Sequence, residues 1–275
     1  MLDEKRVALI GAGVMAETIA AGLVRSKLVS PGNITVSHYR PERLTEIRAA
    51  LPVQTTTDNR LAYDESDIAL LCVRPQAMAS LLSELDSQVI PQKLLISIAA
   101  GLPIRFYDAR LGSRVPFVRA MPTFFGRIKA GTTGLSLNAE TTAEHLALAS
   151  QLFATISENV VVLPEHEIDA FTTFGSTTTA TIYLLLDALI TAGSLVGLRH
   201  QASHTRAIEQ VIAAARNVEA SDISPAQLLE EICTPGGVTV EGVKVLEERA
   251  ARGAAIDAIL AAMERARTLA KEAEA

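Results

Sequence analysis

Two short segments hold the residue types whose spacing points to chemistry. The first is Gly11-Ala-Gly13-Val-Met-Ala16, directly after the apolar run Val7-Ala-Leu-Ile10 and before a helix-like stretch reaching about Arg25. Gly11 permits a tight turn, Gly13 lets a pyrophosphate approach the main chain, and Ala16 allows close helix packing. Unpaired N–H groups at the helix start then face the anion. A strand, this turn and a helix in that order predict a dinucleotide site; the competing reading is a turn that merely needs small residues. The second segment, Cys233-Thr-Pro-Gly-Gly237-Val-Thr239, precedes a helix expected to begin near Val240. Its two glycines beside a positive helix end make a nest of carboxylate size. Thr239 either caps that helix or turns its hydroxyl toward a substrate atom. Cys233 is either a thiol near the site or a small buried hydrophobe.

The type of dinucleotide depends on the end of the next strand, where an acid would bond a ribose 2′-hydroxyl and a basic group would accept a 2′-phosphate. The run Thr35-Val-Ser-His-Tyr-Arg40 has no acid there, and Ser37, His38 and Arg40 can hydrogen-bond or neutralise a phosphate. NADP(H) is therefore favoured over NAD(H), with a solvated loop as the alternative. Thr172, Thr173, Ser176, Thr177, Thr178, Thr179 and Thr181 put seven hydroxyls on an expected helix. They form either a polar lining or a set of threonines bonded back to carbonyls one turn earlier. His166, His200 and His204 lack a trustworthy ligand spacing, so no metal site is expected.

The elements that must position these groups follow from punctuation and periodicity. Apolar runs at 7–10, 34–36, 68–73, 94–98 and 116–118 alternate with helix-like stretches, the βαβ rhythm of a parallel sheet buried on both faces. Residues 132–137 and 160–163 are expected as edge strands. From Pro164 the chain becomes rich in alanine and leucine, with helices expected at about 165–197, 200–219, 225–232, 239–250 and 253–271. The first is long for a lone small domain, which points to a partner subunit. Eight of the eleven prolines precede Leu163, and the net charge of −6 splits into +1 up to Leu163 and −7 beyond it.

Among 275 residues, 49% are apolar, 4% aromatic and 20% charged, a globular composition that excludes disorder. The acidic balance argues against sequence-independent nucleic-acid binding. No uninterrupted apolar run approaches the roughly 18 to 20 residues of a membrane span, so no membrane partner is expected. Cys72 and Cys233 form no disulfide framework, and the opening Met-Leu-Asp-Glu-Lys-Arg is unlike a secretion signal, which suits a cytoplasmic protein.

Taken in order, Gly-Ala-Gly-Val-Met-Ala16, Cys72-Val-Arg-Pro75, Ser97-Ile-Ala-Ala-Gly101, Arg119-Ala-Met-Pro122 and Thr234-Pro-Gly-Gly237 resemble the pyrroline-5-carboxylate reductases. Asp169, Leu186-Asp-Ala-Leu189 and Val245-Leu-Glu-Glu248 extend the resemblance over nearly the whole chain. It implies an α/β fold with an N-terminal doubly wound Rossmann domain, 1–163, and a C-terminal all-helical dimerisation and substrate domain, 164–275. It also implies a homodimer or higher homo-oligomer that reduces an imino acid, 1-pyrroline-5-carboxylate, to proline with NAD(P)H. By the same resemblance Ile10, Gly11, Ala12, Gly13, Val14, Met15, Ser37, Asn59, Val73, Arg74, Pro75, Ala99 and Ala100 would contact the cofactor. The main chain of Gly236 and Gly237 would hold the substrate carboxylate, the Thr239 hydroxyl its imine nitrogen, and Thr234 and Thr178 would lie against it. Arg74 stands where the family usually has lysine.

Two segments depart from the pattern. Phe174-Gly-Ser-Thr-Thr-Thr-Ala180 replaces a Ser-Gly-Ser-Gly-Pro-Ala-Tyr stretch, and Met121-Pro-Thr-Phe-Phe125 replaces Met-Pro-Asn-Thr-Pro. Both flank the nicotinamide in the family, so a reshaped pocket is expected, and a different imine or a catalytically weak NADP-binding dimer are the alternatives. A β-hydroxyacid dehydrogenase would need a lysine on the first long helix, and 165–198 has none.

Overall fold

The computed structural model describes residues 2–85, 93–112 and 114–274. Compactness divides the chain into Met1–Gly175 with Met263–Ala275, and Ser176–Ala262. That division follows packing and falls inside a helix, whereas the 163/164 boundary follows the change in residue character.

The first unit is built on a sheet of eight strands among the described residues. They are β1 (Val7–Ile10), β2 (Ile34–Ser37), β3 (Gln54–Thr56), β4 (Ile68–Leu71), β5 (Leu94–Ser97), β6 (Phe117–Pro122), β7 (Thr132–Leu137) and β8 (Asn159–Val162). Their order is β3-β2-β1-β4-β5-β6-β7-β8, parallel throughout except for the antiparallel β6–β7 pair. Helices α1 (Val14–Ser26), α2 (Pro41–Ala50), α3 (Asn59–Asp64), α4 (Pro75–Leu85), α5 (Ile104–Leu111) and α6 (Ala143–Phe153) connect them. The doubly wound reading therefore holds.

The continuous apolar runs serve both faces at once. Val7 and Leu9 of β1, with Ile68 and Leu70 of β4 and Ile96 of β5, enter one core cluster. The alternate residues Ala8, Ile10, Ala69, Leu71 and Leu95 enter the other. A strand buried on both sides cannot alternate apolar with polar, which is why these segments read as unbroken runs. Two expectations need correction. Residues 132–137 form an internal strand, because β8 covers them, and the other edge is β3, whose Gln-Thr-Thr side chains carry no apolar signal. The strand expected at 116–118 continues to Pro122, through Arg119.

The helical part matches closely: α7 (Glu165–Leu195), α8 (His200–Glu219), α9 (Pro225–Ile232), α10 (Val238–Glu248) and α11 (Ala251–Glu274). In the second unit Ser203 Oγ donates to the Ile190 carbonyl at 2.6 Å, holding α8 to α7. Leu184, Leu185, Leu189, Leu195, Leu246 and Ile256 are all exposed. By length and composition alone α7 is long and apolar enough to cross a membrane, with mean hydropathy 1.4 over an 18-residue window, a property that the core helix of a soluble protein can share. Counting unbroken runs missed it because threonine and glycine interrupt the run without lowering the average much.

The packing of α1 yields a stability test. A Cβ on Gly22 would lie 2.5 Å from Ile156 Cγ2 and 2.8 Å from Thr155 Oγ1, while Gly32 has open space around it. Gly22→Val is expected to cost about 1–3 kcal/mol by overpacking, and Gly32→Ala to stay within about 0.5 kcal/mol of the parent. Urea unfolding of both variants checks this; equal midpoints would show that the contact is slack.

Candidate functional site

The strand order reverses between β1 and β4, the place where open α/β sheets leave a crevice beyond the strand ends. β1 ends at Ile10, and Gly11 turns the chain with φ +105° while its N–H donates to the Ser37 carbonyl at 3.0 Å. A Cβ there would lie 2.8 Å from the Cys72 carbonyl oxygen, so the turn requires glycine. Gly13 is the N-cap of α1, with no side chain capping it. The first-turn N–H groups are thus left for an anion, and a Cβ at Gly13 would meet nothing within 4 Å. The space beside Gly13 is the room a pyrophosphate needs, so the turn fits a dinucleotide.

A cavity of about 480 Å³ opens at this point, lined by Gly11, Ala12 and Gly13, by His38, Tyr39 and Arg40 after β2, and by Asn59, Cys72, Val73 and Arg74. Ser37 is buried and donates through Oγ to Asn59 Oδ1 at 2.8 Å, and Asn59 Nδ2 donates to Glu84 at 3.0 Å. His38 Nδ1 accepts the Arg40 N–H at 3.1 Å, and the His38 and Tyr39 rings lie 4.5 Å apart. Burial, opposed by the Arg40 N–H bond and aided by the Arg40 and Arg43 charges, holds the His38 imidazole below its usual range. Burial likewise pushes the Cys72 thiol up, which makes it an unreactive wall.

Of the expected cofactor residues, Gly11, Ala12, Gly13, His38, Arg40, Asn59, Val73 and Arg74 share this cavity. Pro75 and Ala100 line another of about 310 Å³, with Gln76, Ala79, Gly101, Asp169, Thr172 and Thr173, and Ala266 and Glu272 of α11. Ile10, Ser37 and Ala99 are buried behind the walls, Val14 is exposed at the start of α1, and Met15 packs against the core. Sequence reasoning missed Ala77, Ser80, Leu81 and Glu84 of α4, which also line the larger cavity. Their i, i+3, i+4, i+7 spacing marks one helical face and was available as a signal. It also missed Arg43, which donates to the Ala12 carbonyl at 3.0 Å and pairs with Glu17 and Glu46.

The second glycine loop lies in the other unit. Gly236 has φ +73°, and the Gly237 N–H donates to the Thr234 carbonyl at 3.0 Å, closing a turn. The helix begins at Val238 with Gly237 as N-cap, so Thr239 sits inside the first turn and the capping role considered for it is excluded. Thr239 is exposed. No side chain caps α10, leaving its first-turn N–H groups open. Thr178 lies on α7, where the hydroxyl run is helical: Thr172 Oγ1 donates to Ile168 O at 2.7 Å and Thr181 Oγ1 to Thr177 O at 2.9 Å. Those two threonines follow the back-bonded reading, and Thr172 and Thr173 also line the smaller cavity. Among the described residues, no group of three or more His, Cys, Asp or Glu is arranged to hold a metal ion.

Residues 165–269 match a family model described as pyrroline-5-carboxylate reductase dimerisation, and residues 6–101 one described as NADP oxidoreductase coenzyme F420-dependent. The chain is 31% identical to the pyrroline-5-carboxylate reductase of Methanosarcina acetivorans, over 98% of this chain and 100% of that protein. It is 32% identical to the one from Synechocystis sp., over 97% and 99%. In fold it resembles the crystal structure of Plasmodium falciparum pyrroline carboxylate reductase with NADP bound, with a TM-score of 0.89 and 22% identity over 98% of this chain and 100% of that one.

The two glycines of the turn separate folding from binding. Gly11→Ala is expected to lose both, because φ is positive and a backbone carbonyl blocks the methyl. Gly13→Ala is expected to keep its unfolding midpoint but weaken reduced-dinucleotide binding at least ~10-fold, the loss of one charge-assisted hydrogen bond or more. Nicotinamide fluorescence titration beside thermal unfolding checks this; unchanged affinity in Gly13→Ala would move the pyrophosphate elsewhere.

Proposed function

Because this chain belongs to the pyrroline-5-carboxylate reductase family, we propose that it reduces 1-pyrroline-5-carboxylate to L-proline with NADPH. It is a nicotinamide-dependent oxidoreductase acting on a C=N bond. The observation that carries the reading is the uncapped Gly11–Gly13 turn opening onto a cavity at the switch point of the sheet.

Ile10 to Met15 would hold the pyrophosphate through the main chain, and Asn59, ordered by Ser37 and Glu84, would orient the adenosine ribose. His38 and Arg40, which line the cavity after β2, would meet a 2′-phosphate. Arg40, a cation on the cavity wall that follows β2, supports NADP(H) over NAD(H). Val73, Arg74, Pro75, Ala99 and Ala100 would border the nicotinamide end. When bound, the reduced nicotinamide supplies a hydride to the imine carbon.

The loop from Thr234 to Thr239 would hold the substrate. Its carboxylate would meet the Gly236 N–H and the uncapped first turn of α10, with Gly237 shaping the turn because its own N–H is engaged by Thr234. The Thr239 hydroxyl would orient the imine nitrogen and pass it a proton from water, since an alcohol is a poor acid at neutral pH. Thr178 would lie against the same substrate. Positioning and anchoring, rather than strong acid chemistry, would supply most of the acceleration. Residues 1–163 would act as the cofactor domain and 164–275 as the oligomerisation and substrate domain, in a cytoplasmic homodimer or larger homo-oligomer without a membrane or nucleic-acid partner. A second reading, a related carboxylated imine as substrate, is favoured by Thr123 Oγ1, which is buried without a hydrogen-bond partner among the described residues, in a segment that departs from the family pattern.

NADPH oxidation at 340 nm with 1-pyrroline-5-carboxylate, 1-pyrroline-2-carboxylate and a six-membered imine acid tests the reading. The first is expected to turn over fastest; preference for another would support the second reading, and no turnover of any would sink both. Thr239→Ala is expected to lower turnover roughly 10- to 100-fold with NADPH affinity nearly unchanged, the scale of a lost hydrogen bond to a charged group. Equal losses would remove Thr239 from the chemistry. Arg40→Ala is expected to weaken NADPH roughly 10- to 100-fold and NADH less than about twofold; tighter NADH binding by the parent would refute the cofactor preference.

A further inference from the structure

Among the described residues Arg119 is the largest fully buried side chain, with 1% of its surface exposed, on a strand where every neighbour up to Met121 is also buried. A guanidinium in such a place must be matched, because an unpaired buried charge costs several kcal/mol. Two of its nitrogens meet acids at the start of α7: Arg119 Nη2 bonds Asp169 Oδ1, and Nη1 lies 3.8 Å from Glu165 Oε1, while Nε has no hydrogen-bond partner among the described residues. Glu165 Oε1 also accepts the Ile104 N–H at 2.5 Å, so the same carboxylate ties α5 to α7. A second buried pair runs alongside. Ser97 Oγ lies 2.7 Å from Tyr107 OH and accepts the Ala99 N–H at 3.2 Å, fixing the loop that follows β5. Burial pushes the Tyr107 phenol up to about 12, so it stays a neutral hydrogen-bonding group.

These two networks converge on one cavity. Asp169, Thr172 and Thr173 form one wall of the space of about 310 Å³, and Ala100 and Gly101 form another, with Pro75 and Gln76 at the start of α4. Arg74 of the cofactor cavity and Pro75 of this space are consecutive, which brings both spaces to the same end of α4, where the nicotinamide would lie. Apolar contacts already seat α7: Ile168 is fully buried, and the Phe171 ring lies 3.0 Å from where a Gly134 Cβ would be. The ionic hydrogen bond and the ion pair to Arg119 add direction to these contacts and constrain the rotation of the helix.

We propose that Arg119 and Asp169 are positioning residues that set the first turns of α7 against the Ala99–Gly101 loop, so that the wall beside the nicotinamide is in register for hydride transfer. The proposal rests on the cofactor reading above. It assigns the pair to the turnover step more than to cofactor affinity, since neither residue lines the larger cavity, where the Gly11–Gly13 turn lies, and Asp169 meets only the smaller one.

The test uses the full-length protein with Asp169→Asn, Asp169→Glu and Arg119→Lys. Asp169→Asn is expected to cut kcat roughly tenfold or more, because a misplacement of about 1 Å remote from the chemistry costs up to ~10²-fold, while NADPH affinity changes less than about twofold. Hydrogen exchange is expected to accelerate for amides 166–175 and to stay unchanged in β1, β4 and β5. Asp169→Glu, which restores the carboxylate, is expected to recover part of kcat, and Arg119→Lys to resemble Asp169→Asn. Parallel losses of kcat, NADPH affinity and unfolding midpoint would reduce the pair to a merely structural role and overturn the proposal, as would unchanged kcat in Asp169→Asn. If the parent reduces no imine, the functional reading fails separately, and exchange alone decides: unaltered exchange at 166–175 would overturn the anchor.

Discussion

The approach of β1 to β4 is the constraint on which the rest of the first unit depends. Where β1 ends, the Cys72 carbonyl leaves no room for any side chain, so only glycine can carry the turn at position 11. Once that turn is made, α1 must start at Gly13 with its N–H groups uncapped, and β2 must end level with the turn because the Gly11 N–H reaches the Ser37 carbonyl. The cavity wall beside the turn is then built from whatever follows β2, here His38, Tyr39 and Arg40. Arg43 closes the arrangement from α2 by holding the Ala12 carbonyl, an ionic brace on a loop that has few side chains of its own.

Much of this was legible in the chain, for reasons that differ by element. Parallel strands buried on both faces advertise themselves as apolar runs, so β1, β4 and β5 were found with nearly their observed bounds. Helices α8, α9 and α10 are framed by breakers, Gly197 before the first and prolines or glycines around the others. β3 was invisible because Gln54, Thr55 and Thr56 pair through the main chain at an edge and owe nothing to apolar pattern. The start of α10 was misplaced by two residues because Gly237 caps through its backbone conformation, which residue type alone does not show.

The site followed the same division. The glycine turn and the residues after β2 could be read because their chemistry is local, within a few positions of one another. Arg119, Glu165 and Asp169 are separated by up to 50 residues, and nothing in the composition of β6 says that its arginine points inward to two acids on α7. A charged residue within an apolar strand was a sign of such a partner, but not of which one. The inner face of α4 was similarly readable as a helical stripe, yet only the fold shows that the stripe faces a cavity.

The exposed leucines and isoleucines of Ser176–Ala262 have a consequence for how stability itself must be understood. With so much apolar surface left to another copy of the chain, burial of that surface is a bimolecular event governed by mass action. The unfolding midpoint of this protein then rises with its own concentration, and dilution acts as a denaturant. In a cell, its folded population is coupled to its rate of synthesis, and a helix as apolar as α7 is safest when a second copy is already present to cover it.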